Sequence, residues 1–172
     1  MRPDILNPLF AEVTALKGVG PTLAKPLDRL GLARVVDVAF HLPTGWIDRL
    51  PRDELFQSDV GRTIAITLIP RDYRTSAGRG PTRVTATDAR GNFVTLTFFG
   101  GNAGWAKKLL PIGEPRRVSG RLDQYGQELQ IVHPDVAEMD GDAFREREAI
   151  YPLSEGITSR RLAGFADQAV AR

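Results

Sequence analysis

Residues 92–110 read NFVTLTFFGGNAGWAKKLL, and their period changes part-way along. The first half alternates as a strand does, with Val94, Leu96 and Phe98 on one face and Thr95 and Thr97 on the other. Phe99 then puts a second aromatic on the threonine face, and Gly100 and Gly101 follow it. From Asn102 the pattern is that of a short helix, which carries Trp105, Lys107 and Lys108. A core explains one phenylalanine; the second, beside two glycines, needs another reason.

Outward from this segment the chain is β on both sides. Upstream, RTIAITLIPRDY (62–73) and TRVTATDA (82–89) alternate as strands, and the turn at 89–92 leads into the third. Downstream, RRVSGRLDQY (116–125) and ELQIVHP (128–134) are two more, joined through Gly126. Three strands, a helix and two strands is the order of an OB-fold, a five-stranded Greek-key barrel. Gly120 in mid-strand marks a bend or bulge. Before the barrel, Leu9, Val13 and Leu16, then Leu23, Leu27 and Leu30, follow helical spacing around the turn LKGVGP (16–21). A third helix is expected over Arg34–Leu42 with Val35, Val38, Ala39 and Leu42 inward, and TGWIDRLP (44–51) reads as a connector. After the barrel, MDGDAFREREA (139–149) reads as a linker, and Thr158 as the N-cap of a last helix. The expected class is α+β: a helical segment with a helix-hairpin-helix-like motif over 1–60, an OB barrel over 61–138, and a linker and helix over 139–172.

Composition bounds the function. The 172 residues are 42% hydrophobic and 26% charged, which suits a soluble globular protein. There is no cysteine, so disulfides and thiolate metal sites are excluded and a reducing cytoplasm fits. MRPDILNPLF lacks the apolar core of a secretory signal, and no apolar run approaches the ~20 residues that cross a bilayer. A cytoplasmic monomer with no membrane partner is expected. The charge is uneven. Arg62–Glu128 carry eleven Lys/Arg against five Asp/Glu, and the remainder twelve against sixteen. A basic middle between acidic flanks suits a polyanion-binding surface or a merely solvated face.

The candidate residues follow from that charge. In LKGVGPTLAKPLDRLGL (16–32), Gly18 and Gly20 would let a hairpin backbone approach a DNA phosphate at a helix N-terminus. A tight turn that packs two helices reads equally well, and Pro26 removes a donor early in the second helix. Arg71, Arg74, Arg79 and Arg83 surround SAGRGP (76–81), the loop that borders the ligand groove of an OB-fold, and Lys107 and Lys108 add further phosphate contacts. Phe98 reads as core. Phe99 is placed to stack on a base, worth about 1–3 kcal/mol. Burying a Phe gains roughly 1.5–3 kcal/mol, so position rather than energy favours stacking. Trp105 either packs its helix or touches DNA. No catalytic constellation is visible. His41 and His133 are the only histidines, and GVGPTLAK lacks the second Gly and the terminal Ser/Thr of a phosphate loop. No catalytic residue, metal or bound cofactor is expected.

Together these segments resemble RecG-type branch-migration DNA helicases. LKGVGPTLAKPLDRLGLARVVDVAFHLPTGWIDR (16–49) looks like the opening of that family, with Gly18–Pro21 in its Gly-Val-Gly-Pro hairpin, Phe40–Pro43 in its Phe-His-Leu-Pro and Trp46–Arg49 in its aromatic-x-Asp-Arg. Phe98 and Phe99 are similar to its phenylalanine pair, His133 and Pro134 to its barrel-closing His-Pro, and YPLSEGITSRRL (151–162) to the segment before its motor. The family's pair is followed by an asparagine, whereas here Gly100 and Gly101 precede Asn102. The resemblance implies a wedge. Such a domain sits at the branch point of a fork or Holliday junction and splits the strands with its aromatics, while two motor domains, absent here, pull the duplex using ATP and magnesium. Phe99 would be the edge of that wedge and Phe98 its foundation. The implied partners are branched DNA, single-stranded DNA and a single-strand-binding protein, in repair and recombination. The chain would be a fragment of an ATP-dependent helicase, without chemistry of its own. Two other readings stand beside this one: a protein-interaction OB module, and an unrelated OB protein that binds single strands.

Overall fold

The computed structural model describes residues 3–76, 80–100, 103–141 and 143–172. Two 3-10 turns, Asp4–Phe10 and Val13–Ala15, precede helices α1 (Pro21–Arg29) and α2 (Val35–Ala39). Strands β1 (Gly45–Asp48) and β2 (Leu50–Arg52) and a third 3-10 turn, Gln57–Asp59, lead into β3 (Thr63–Thr75), β4 (Thr82–Thr87) and β5 (Phe93–Phe98). Helix α3 (Ala103–Leu109) then precedes β6 (Arg116–Tyr125), β7 (Glu128–Val132), β8 (Asp135–Ala137) and β9 (Arg147–Ile150), and helix α4 (Ser159–Val170) follows. The chain divides into two units, residues 48–146 and residues 1–47 with 147–172. The sequence pattern alone sets boundaries at 60 and 138 instead. The structure draws 48–60 into the barrel unit and shares 139–172 between the two.

In the barrel unit the strands close in the order β3-β4-β5-β7-β6 and back to β3. The β5–β7 contact is parallel and the other four are antiparallel, which is the OB-fold closure. One long strand serves two partners. Thr63–Leu68 of β3 pair with β6, and Ile69–Thr75 pair with β4. The register slips between Pro70 and Asp72, where Pro70 has no N–H for a ladder, and the strand is irregular there. Gly120 marks a close approach, since a Cβ on it would lie 2.4 Å from Ile131 Cγ2. Val94, Leu96 and Phe98 enter a core with Ile64, Leu68, Val84, Val118, Leu122 and Ile131. Ala106 and Leu110, from α3 and the residue after it, are fully buried in the same core. The connector at 44–51 proves to be two strands: β2 runs parallel to β3, and β1 pairs with β9. Arg49 between them is buried; its Nε donates to Ser119 Oγ at 2.8 Å and it pairs with Asp135 at 3.5 Å.

The helical unit departs further from the reading. No α-helix covers Leu9–Leu16. Pro8 sits inside the first 3-10 turn, and the backbone of 11–13 is drawn into a bridge. Val13 N–H donates to Ala33 O at 2.9 Å and Val35 N–H to Ala11 O at 3.0 Å, so those groups are not available to a helix. The helix-hairpin-helix-like segment therefore has only its second helix, α1. The expected helix at 34–42 stops at Ala39, and Leu42 is exposed rather than inward. The core gathers Leu16, Leu23, Leu27, Val35 and Val38 with Ile157, Leu162, Phe165 and Ala169 from the other end of the chain. Thr158 caps α4 as read, its side chain accepting from Arg161 N–H at 3.3 Å. His41 has a structural place, stacked on Tyr151 with 5.8 Å between centroids.

Candidate nucleic-acid interface

At the end of β5 two adjacent aromatics differ in environment. Phe98 is 5% exposed and Phe99 56%. Gly100, at φ +103°, turns the chain at once after Phe99, a conformation that L side chains rarely adopt. Around the buried Phe98 ring stand two partners. Trp105 meets it edge-on at 5.5 Å between centroids, and His133 does so at 6.3 Å. Phe99 tilts against the same His133 ring at 5.6 Å. Trp105 is half exposed, so one end of the barrel presents Phe99, Trp105 and His133 over a buried phenylalanine. Helix α3 is held there by Tyr73, whose hydroxyl donates to Leu110 O at 2.6 Å. Lys107 Nζ lies 5.5 Å from the centre of the Tyr73 ring.

The cations are only partly brought together. Arg74 and Arg83 face each other directly across β3 and β4, and Arg83 faces Thr97 across β5, two residues before Phe99. Like charges directly opposed in a sheet repel, and Asp72 lies 3.9 Å from Arg74. A phosphate between the two guanidinium groups would relieve the repulsion. Arg71 lies apart. The slip at Pro70–Asp72 turns it toward the far end of β4, where its Nε donates to Thr87 Oγ1 at 2.9 Å. Lys107 and Lys108 are exposed on α3. Arg79 lies outside the described residues. Gly18 and Gly20 belong to the helical unit. A Cβ on Gly18 would lie 3.7 Å from the Phe165 ring of α4, and Gly20 N-caps α1, so this turn packs helices within its own unit.

Two carboxylates fix the rest of the barrel. Asp59, 2% exposed, is gripped by Arg52 through bonds of 2.6 and 3.0 Å. That guanidinium holds its carboxyl below the ordinary range against the opposing effect of burial. Asp88 closes the β4–β5 turn by accepting from Leu55, Arg90 and Asn92 N–H and from Asn92 Nδ2. Burial pushes its carboxyl up, but those bonds outweigh it and the net shift is downward. Sequence reasoning missed Tyr73 and gave His133 no role in the site. The only signal for His133 was its place in the closing His-Pro pair. Among the described residues no cluster of His, Asp or Glu could hold a metal ion, and no helix is long and apolar enough to cross a membrane.

A family model described as the RecG wedge domain matches residues 12–171. The chain belongs to the RecG wedge domain family. Among its relatives, the ATP-dependent DNA helicase RecG of Acidithiobacillus ferridurans is 32% identical over 155 residues, covering 87% of this chain and 22% of the relative. The RecG of Bacillus subtilis is 25% identical, covering 94% of this chain and 23% of the relative. The chain thus spans under a quarter of the length of either. A solved structure of RecG bound to a three-way DNA junction shares the fold, with a TM-score of 0.69 at 22% identity, and covers 93% of this chain and 22% of that one. That likeness shows the fold of this chain in a RecG protein.

Proposed function

We propose that this wedge domain binds branched DNA, at a fork or Holliday junction, and holds the strands apart at the branch point. The observation that carries the reading is the exposed Phe99, which packs on the His133 ring beside buried Phe98, with half-exposed Trp105 edge-on to Phe98. An open branch point presents base faces that a fully paired duplex does not, and aromatic stacking takes any base. Arg74 and Arg83 would hold a phosphate beside it. The family membership and a relative solved on a three-way junction support the same reading. As part of a RecG helicase the domain would serve fork reversal and branch migration in repair and recombination, with motor domains supplying ATP- and magnesium-dependent movement. Single-stranded DNA and a single-strand-binding protein are further partners on this reading, and the cytoplasm its place.

The test is a titration of forked, duplex and single-stranded DNA of equal length against the 172-residue chain. Forks should bind most tightly. If about four phosphates are neutralised, log K should fall with log salt at a slope of roughly −3 to −4. Arg74→Ala and Arg83→Ala should each reduce that slope by about one unit. Equal affinity for fork and single strand would point to a plain single-strand binder, and salt-insensitive peptide capture to a protein-interaction module.

A further inference from the structure

His133 is the one residue other than glycine with a positive φ among the described residues, at +46°. That backbone is uncommon for a residue with a Cβ, and glycine or asparagine would adopt it with less strain. The conformation is nevertheless held, and four contacts accompany it. The His133 N–H donates to Thr97 O at 2.8 Å, which carries the β5–β7 pairing one residue past β7. The ring packs edge-on against Phe98 and tilts at 49° against Phe99. Its Nε2 accepts the Phe99 N–H at 3.4 Å, which requires the tautomer protonated on Nδ1. Phe99 lies beyond the last paired residue of β5, so the ladder does not fix its backbone. The imidazole is what reaches it from the neighbouring strand, by backbone and by ring together.

We propose that His133 is a positioning residue for DNA: bound to the Phe99 backbone and packed on its ring, it sets the angle at which Phe99 meets the branch-point base. This rests on the reading that Phe99 stacks on DNA. A left-handed histidine gives up backbone freedom that glycine would keep, in exchange for a fixed ring beside the edge of the wedge.

The experiment uses forks with 2-aminopurine at the branch point, whose fluorescence is quenched by stacking, and the variants His133→Gly, His133→Asn, Phe99→Ala and the Phe99→Ala/His133→Gly double. Glycine relieves the strained backbone, so His133→Gly should melt at or above the parent temperature while fork affinity drops roughly fivefold to tenfold. The branch-point quench should weaken with it. Asparagine tolerates the same φ and offers an acceptor, so His133→Asn should recover part of both. In the Phe99→Ala background, His133→Gly should add nothing. Stability and binding falling together in both His133 variants would overturn the proposal in favour of a barrel-closing role. Additive losses in the double variant would also overturn it, because His133 would then act independently of Phe99. If Phe99→Ala weakens fork binding and the His133 variants do not, only the positioning role falls. If Phe99→Ala leaves binding and quench unchanged, the stacking reading falls and this proposal with it.

Discussion

The barrel and the helical unit each bury a core, but they assemble it over different distances. The barrel core comes from one stretch, Leu55 to Ile131, and its five closing strands are paired on both sides. The helical core is built from the two ends of the chain. Its α2 has five residues and its α1 nine, too short to persist alone. They are completed by α4, and Gln168 ties the ends together by accepting from Lys17 N–H at 2.9 Å and donating to Lys17 O at 3.2 Å, across 151 residues of sequence. One unit is therefore self-sufficient in sequence, and the other depends on a segment that follows the barrel.

The largest effect should come from cutting that dependence. Removing residues 147–172 takes Leu162, Phe165 and Ala169 out of the helical core, leaving Leu27, Val35 and Val38 without cover. The helical unit should lose its cooperative melting entirely, while residues 48–146 keep theirs. Circular dichroism and amide-exchange protection would read the two separately. Loss of the barrel's protection in the same truncation would break the comparison, since the barrel would then need the helical unit in order to fold.

Next in size is Phe98→Ala. It opens a cavity in a self-contained core and should cost about 3–5 kcal/mol. The loss should appear in the barrel's transition alone. An equal loss in the transition of the helical unit would mean that the two melt as one.

A smaller effect should follow acid, and it sharpens the same contrast because Asp59 and Asp88 are both barrel residues. Their folded pKa values lie below those of the unfolded chain. Their contribution is therefore complete above the ordinary carboxylate value of about 3.9 and is lost as pH falls through the lower folded values. The barrel's melting temperature should drop in that window. Asp88→Asn should cost about 1–3 kcal/mol at neutral pH, because N–H donors at Leu55, Arg90 and Asn92 lose a charged acceptor. It should also flatten the acid limb. An unchanged limb in that variant would assign the acid dependence elsewhere.

What could be read in advance follows the same division. Period-two alternation marks a strand's faces wherever its neighbours sit, so Val94, Leu96 and Phe98 were legible as core without knowledge of the topology. Helical spacing at Val35, Val38 and Leu42 promised one continuous face, but a helix must also keep its backbone bonds, and this one ends at Ala39. The Glu12–Arg34 bridge that replaces the first helix is a long-range pairing with no local signature. The same holds at the site. Phe99 stood out because its environment is set by its own strand. His133 did not, because its left-handed backbone and its contacts to Phe98 and Phe99 exist only once β7 lies beside β5. Arg71 looked like a companion of Arg74 until the slip at Pro70–Asp72 separated them.

The smallest effect on stability should be at Phe99, and that smallness carries the argument about the site. The ring is 56% exposed and covers no cavity in the barrel core, so Phe99→Ala should leave the barrel's melting temperature nearly unchanged. Fork affinity should nevertheless fall by about 1–3 kcal/mol, the worth of one stacked base, while affinity for duplex whose ends are closed by hairpins changes little. Phe98→Ala and Phe99→Ala then form a pair on adjacent residues, the last of β5 and the one after it, the first acting on folding and the second on binding. If Phe99→Ala destabilises the barrel as much as Phe98→Ala, the exposed ring is part of the core and the edge must be sought at Trp105. If Phe99→Ala melts normally and binds forks normally, this end of the barrel does not recognise a branch point by stacking, and the opposed Arg74 and Arg83 would have to account for the affinity alone.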